Sequence, residues 1–254
     1  MLSQRQTRQV RALHRRKGRR ASGEFLVEGP RVIGEMLRAG RSVTLVLYTD
    51  EAEAEPAGRD LLDGLRAAGV EAHSVSDREL RRLADTVTPQ GWLAVAPIPA
   101  WTWADLDGAR VLVLDGVSDP GNVGTLIRAA EALGAGGVIA LPGTADPWNP
   151  KVVRAAAGSS FRVPVVEAGW EELLARLRGW ETPVWAAASD GEPLSRGEPP
   201  PGRVALILGN EAAGVSPEIR LTAERVVAIP MMGEVESLNA ALAGAILLDR
   251  LFGG

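Results

Sequence analysis

Three segments in the C-terminal half of this 254-residue chain share one design, a short apolar run that ends in glycines and polar side chains. The first is Val111-Leu-Val-Leu114, followed by Asp119-Pro-Gly-Asn-Val-Gly-Thr-Leu-Ile-Arg128. The second is the strand candidate 204–208, followed by Leu208-Gly-Asn-Glu-Ala-Ala-Gly214. The third is the strand candidate 225–229, followed by Ile229-Pro-Met-Met-Gly233 and then Ser237-Leu-Asn239. Four or five consecutive apolar residues bounded by turn residues form a strand buried on both faces, as in a parallel sheet. Open α/β sheets bind their ligands at the carboxyl ends of such strands. Three such loops can therefore converge on one site, although about 110 residues separate Arg128 from Asn239.

The flanking patterns predict an α/β chain of two domains. Residues 4–17 form a basic helix ended by Gly18. Phe25–Val27 is a strand, Pro30 opens a helix that Gly40 closes, and Val43–Tyr48 is a strand. The acidic, alanine-rich stretch 50–58 is a loop. A helix over 59–68, a strand over 70–75, a helix over 77–84 and a strand over 92–96 complete an N-terminal domain of residues 1–96. Apolar periodicity stops in 97–109, where two prolines and two tryptophans mark a linker. The second domain, 110–254, begins with a βαβ unit: strand 111–114, helix 122–133, strand 137–141. Strands over 163–166, 183–187, 204–208 and 225–229 follow, with helices over 150–157, 170–178 and 237–251. Pro199-Pro-Pro201 forms a turn.

Composition removes several chemistries. The chain has no cysteine, so disulfides, thiolate nucleophiles and cysteine-ligated zinc are excluded. Its two histidines, His14 and His73, lie in different segments, which disfavours a histidine metal site or a Ser-His-Asp triad. No metal is expected. Catalysis is left to Arg, Asp, Glu, Asn, Ser or a cofactor. No run reaches the ~18 apolar residues of a membrane span, and a cytoplasmic protein is expected. Residues 1–20 carry eight of the 28 basic side chains and none of the 32 acidic ones. This arm is a solvated tail, a transit peptide or an RNA-tracking arm that releases counterions on binding phosphates.

Each loop allows a plain reading and a functional one. Gly121 and Gly124 flank Asn122 and Val123 at a strand-to-helix junction, where free N–H groups favour anions. The spacing is not G-x-G-x-x-G, and no acidic residue ends the following strand, so a nicotinamide cofactor is disfavoured. Arg128 is a surface charge paired with Glu131 or a site residue. Glu211 is a helix-start residue or a site carboxylate. Asn239 is the only polar side chain in the run 238–248, and an amide buried there needs partners. Ser237 is placed to cap that helix.

In order, spacing and residue type, the three motifs resemble the SpoU (TrmH) family of RNA ribose 2′-O-methyltransferases, in the SPOUT class. Lys151-Val-Val-Arg-Ala-Ala-Ala-Gly158 and Phe25-Leu-Val-Glu-Gly-Pro-Arg31 are similar to the family as well. Ala212, Ala240 and Ala241 depart from its common residues without removing a polar group assigned to the chemistry. The resemblance implies a small N-terminal RNA-binding domain and a C-terminal SPOUT domain with a parallel sheet and a deep trefoil knot. It implies S-adenosylmethionine as cofactor, held around Leu208, Gly209, Gly214, Ile229, Met231 and Leu238, and a homodimer packed through the last helix. It implies that Arg128 meets the target 2′-hydroxyl while Asn122, Glu211, Ser237 and Asn239 orient ribose, phosphate or Arg128. The reaction implied is direct in-line methyl transfer, for which the protein aligns the atoms and manages one proton. A guanidinium has a pKa above ~12. Arg128 is therefore either a transiently neutral base in a desolvated site or a charged clamp on phosphate and developing alkoxide. Large-subunit rRNA is the expected substrate; tRNA, or a non-catalytic RNA-binding role in ribosome assembly, are the alternatives.

Overall fold

The computed structural model describes residues 2–106, 110–194, 202–232 and 237–252. Gly233 of the third motif, the turn at Pro199–Pro201 and the end of the linker lie outside them. The chain forms two compact units, residues 1–100 with 148–161, and residues 101–147 with 162–254. The segment 148–161 therefore groups with the N-terminal unit, although it lies within 110–254 in sequence.

The first unit comprises α1 (Gln4–Leu13), α2 (Arg16–Ser22), β1 (Glu24–Glu28), α3 (Pro30–Arg38), β2 (Leu45–Tyr48), α4 (Asp50–Ala54), α5 (Pro56–Ala67), β3 (Glu71–Ser74), α6 (Asp77–Leu83) and β4 (Trp92–Pro97). Its sheet runs β1-β4-β2-β3, with β4 antiparallel to both neighbours and β2 parallel to β3. One core contains Val10, Leu13, Leu26, Leu47, Leu80 and Leu93. Phe25 instead meets Trp148 and Phe161, with ring centroids 5.0 and 6.2 Å away.

The basic arm is part of this core. Val10 and Leu13 are buried, and Arg19 is buried with its Nη1 donating to the Leu13 carbonyl at 2.7 Å. The expected single helix 4–17 is two helices. Its break falls before Arg16, and the αL residue that ends the second helix is Gly23, not Gly18. Gly18 instead permits close packing, because a Cβ there would lie 2.0 Å from the Ala12 carbonyl oxygen. Residues 50–54, expected as loop, form α4. Thr49 accepts from Ala52 N–H, and Asp50, Glu51 and Glu53 sit in the first turn, where the helix dipole favours them.

The second unit comprises β5 (Val111–Asp115), α7 (Pro120–Ala132) and β6 (Gly137–Ala140). The chain then contributes α8 (Pro150–Ala156) to the first unit and returns as β7 (Val165–Glu167), α9 (Trp170–Gly179), β8 (Val184–Pro193), β9 (Ala205–Gly209), α10 (Pro217–Thr222), β10 (Arg225–Ala228) and α11 (Ala240–Phe252). Its sheet runs β10-β8-β9-β5-β6-β7, and every pairing is parallel. The strand order reverses between β5 and β9, where Asp115 pairs with Gly209. That is the crevice in which an open parallel sheet binds ligands. Several predicted boundaries move: the strand expected over 183–187 runs on to Pro193, and two helix starts beside the crevice shift. Asp119 caps α7, with Pro120 in the first turn, so the helix starts before 122. Helix α11 starts at Ala240, not 237. Asn239 accepts from Ala241 N–H at 2.9 Å and Leu242 N–H at 3.3 Å, so Asn239 caps the helix in place of Ser237. Leu242, on the apolar run expected to be covered by the rest of the domain or by a second copy, is 59% exposed in the single chain. Among the described residues no helix is long and apolar enough to cross a membrane.

Candidate active site

The three motifs meet at the β5/β9 crevice. After β9 the chain turns tightly. Asn210 and Gly214 exchange backbone hydrogen bonds at 3.0 and 2.9 Å, and Asn210 Oδ1 accepts from Ala212 and Ala213 N–H. Its Nδ2 donates to the Gly116 carbonyl at 2.8 Å, which fixes this loop to the turn after β5. Gly209 is required by contact: a Cβ there would lie 2.1 Å from the Gly214 carbonyl carbon and the Val215 nitrogen.

Glu211 extends from this loop to the start of α7. Its carboxylate accepts from Asn122 Nδ2 at 2.9 Å, from Ser118 N–H and Oγ at 3.2 Å each, and from Asp119 N–H at 3.4 Å. Asn122 Oδ1 in turn accepts from Asn239 Nδ2 at 3.0 Å. One side chain from each motif thus joins a chain of hydrogen bonds, Asn239 to Asn122 to Glu211. Desolvation pushes the Glu211 carboxyl up. Its bonds to Asn122, its own backbone N–H, Ser118 and Asp119 outweigh that and hold its pKa at about 2. No helix begins at 211, so Glu211 is not a helix-start residue; its carboxylate instead binds the start of α7 beside a cavity. Asn239 is exposed rather than buried, because it caps the helix instead of lying within it.

A cavity of about 740 Å³ opens beside this network. Leu208, Gly209, Gly214, Ile229, Met231 and Leu238 all line it, as do Glu211, Ser237 and Asn239. Asn122 and Arg128 do not. Arg128 stands exposed on α7 and makes no hydrogen bond or ion pair among the described residues. Its expected surface partner, Glu131, is taken by Arg162. The sequence reading missed the wall formed by Ala187, Ala188, Ser189 and Asp190, with Arg220 paired to Asp190 at 2.6 Å. The available signal was the strand at 183–187, which lies beside β9 and so ends at the same crevice.

The cavity volume lies within the ~300–1,000 Å³ of small-molecule and cofactor sites. Its walls combine apolar side chains with the backbone of a glycine loop, which suits an adenosyl group recognised largely by main-chain groups. The residues present fit S-adenosylmethionine. A Gly209→Ala variant should drive Cβ into the 214–215 backbone and displace the loop. Cofactor affinity by calorimetry is expected to fall at least about tenfold, since misplacement by ~1 Å can cost on the order of a hundredfold in function. Wild-type affinity in a folded variant would show that the loop is not a cofactor wall.

Comparison with known proteins agrees with this geometry. The SpoU rRNA methylase family model matches residues 109–249, and the MRM3-like substrate-binding domain matches 4–94. The chain is 35% identical to the 23S rRNA (guanosine(2553)-2′-O)-methyltransferase RlmP of Bacillus subtilis (strain 168), over 95% of this chain and 93% of that protein. It is similar to the SpoU methyltransferase AviRb of Streptomyces viridochromogenes solved in complex with the cofactor AdoMet, with TM-score 0.89 and 29% identity, covering 99% of this chain and 98% of that one. An AdoMet-bound rRNA methyltransferase from Sinorhizobium meliloti superposes with TM-score 0.86 at 28% identity, covering 99% and 96%. Fold and site define an S-adenosylmethionine-dependent RNA 2′-O-ribose methyltransferase. The chain belongs to the SpoU rRNA methylase family.

Proposed function

We propose that this enzyme methylates one ribose 2′-hydroxyl of large-subunit rRNA, in the cytoplasm, with Arg128, Asn122, Glu211, Ser237 and Asn239 as its working side chains. The observation that carries the reading is the hydrogen-bonded chain Asn239–Asn122–Glu211 beside the Gly209 cavity. Similarity to a 23S rRNA methyltransferase over nearly the whole chain supports rRNA as the substrate.

In this reading the loops at Leu208, Gly209, Gly214, Ile229, Met231 and Leu238 hold the cofactor. When bound, S-adenosylmethionine supplies a methyl group made electrophilic by its sulfonium. The protein supplies alignment. Glu211 stays ionised and holds the Asn122 amide by its Nδ2. Asn122 Oδ1 then fixes Asn239, and Ser237 lies two residues away on the same cavity wall. Among the described residues no carboxylate pairs with Arg128, and in this reading its guanidinium meets an RNA phosphate and the alkoxide that develops at the 2′-oxygen. The 2′-hydroxyl proton leaves to water.

The working form is a homodimer. Leu242, Ala245 and Ile246 are at least partly exposed and share one face of α11, a patch that a second copy would cover. The family likeness implies the trefoil knot, and the close seat of α11 is compatible with it: a Cβ on Gly244 would lie 2.3 Å from Leu126 and 2.5 Å from Leu208.

The deciding experiment incubates the enzyme with methyl-labelled S-adenosylmethionine and unmodified rRNA or tRNA, then digests the RNA in alkali. A methylated 2′-oxygen cannot attack its neighbouring phosphate, so label in alkali-resistant dinucleotides from rRNA is expected. Label confined to tRNA would move the substrate, and none from either would remove the reading.

A further inference from the structure

We propose that the loop 85–90 of the N-terminal unit is a pre-organised recognition loop that contacts an unstacked base of single-stranded RNA through Val87, Thr88 and Gln90. The proposal rests on the reading of RNA as substrate and adds the surface that selects it.

The loop is held at both ends by interactions out of proportion to its size. At its start the buried Glu28 carboxylate accepts from Asp85 N–H at 3.0 Å, from Thr86 N–H at 3.3 Å and from the Thr86 hydroxyl. Arg154 adds a second clamp, donating to Asp85 at 2.8 Å and to Glu28 at 3.5 Å. His14, at the end of α1, hydrogen-bonds the Leu83 carbonyl at 2.8 Å. At its far end Gly91 has φ +77°, and a Cβ there would lie 2.4 Å from Ala52. Thr49 N–H donates to the Gly91 carbonyl, and Gly29 N–H donates to the Trp92 carbonyl. Burying a carboxylate costs free energy unless its bonds repay it. Here they fix an exposed tip: Val87 is 90% exposed and Thr88 and Gln90 are exposed beside it.

A lone exposed valine needs no explanation. A rigid tip that presents one apolar contact beside a hydroxyl and an amide has the composition for a nucleobase, which offers a flat apolar face and polar edges. Fixing the loop in advance removes the ordering cost of binding. Charge supports the same occupant. Arg5, Arg8 and Arg11 are exposed on the face of α1 opposite Val10 and Leu13, and Arg31 is exposed at the start of α3, next to Gly29, whose Cα faces the Gln90 side chain. None of these four arginines has a hydrogen bond or ion pair among the described residues. Arginine faces of this kind track phosphates, while the tip reads a base.

The test measures binding of the full-length enzyme to unmodified large-subunit rRNA across a salt series. The Val87→Ala, Thr88→Ala, Gln90→Ala triple variant should bind about tenfold more weakly, with the slope of log affinity against log salt unchanged. Arg8→Gln should weaken binding and flatten that slope by about one. Cofactor affinity should be wild-type in both, and an unchanged circular dichroism spectrum and unfolding midpoint report that the first unit, which carries the substitutions, remains folded. Wild-type RNA affinity in the triple variant overturns the proposal, as does a slope that flattens with the triple variant, because the tip would then act on phosphates. Failure of the unaltered enzyme to bind or methylate any rRNA would instead remove the reading on which the proposal rests.

Discussion

Arg128→Ala should lower the single-turnover rate of ribose methylation by about 10²–10³-fold, the usual cost of removing one preorganised group that meets developing charge. Cofactor affinity and unfolding midpoint should remain wild-type. The second expectation follows from the surroundings of the residue. Arg128 is exposed, has no partner among the described residues and is not among those that line the cavity, so its removal leaves no described group unsatisfied. A surface arginine that stabilises nothing can be lost without effect on folding, and a large kinetic loss would assign it to the substrate. Arg128→Lys separates two versions of that role. Lysine keeps the charge but not the planar fork that grips phosphate in a bidentate way. An intermediate rate is expected, and near-wild-type turnover would sink the bidentate clamp. Full activity in the alanine variant would remove Arg128 from the chemistry.

The parallel sheet and its ligand-binding edge were legible because buried strands carry their signal locally. Val111–Leu114 and Val204–Leu208 are apolar without interruption, and each is followed by glycine within two residues. The convergence of Asn122, Glu211 and Asn239 was legible only in part. Each side chain sits where a strand gives out, but the pairwise bonds depend on strand order, which periodicity does not encode. The Asn239 cap shows the cost: serine and asparagine cap helices about equally well, and tertiary contact chose Asn239, whose amide serves the helix with its oxygen and Asn122 with its nitrogen. Tertiary contacts also decided the fate of the arm. Eight positive charges left a solvated tail, a transit peptide and an RNA-tracking arm all open, whereas Val10 and Leu13, three residues apart, are enough to bury one face. The excursion 148–161 was not legible at all. The reach of Arg154 to Glu28 and Asp85 spans 126 and 69 residues of sequence.

Glu211→Gln is expected to lower the methylation rate by about tenfold to a hundredfold, although the substitution is nearly isosteric. Asn122 Nδ2, Ser118 N–H and Oγ and Asp119 N–H all donate to the carboxylate. An amide can accept at its oxygen only, and it turns two N–H groups toward those donors. The Asn122 amide is then released or inverted, and its Oδ1 no longer holds Asn239 in place. Misalignment of this size lowers rate more than affinity. The pH dependence gives an independent check. The Glu211 pKa is depressed from 4.5 to about 2, so the folded state favours the carboxylate. Its contribution to stability is complete above pH ~4.5 and is lost as pH falls toward 2. Urea midpoints of wild type and Glu211→Gln should therefore differ most near neutral pH and converge in acid. Solvent screening at this exposed position keeps the difference modest. Methylation rates should show no titration of Glu211 anywhere from pH 5 to 9, because the group never takes a proton there. A rate limb in that range that vanishes in Glu211→Gln would make Glu211 a proton acceptor, against the role of a fixed anchor for Asn122.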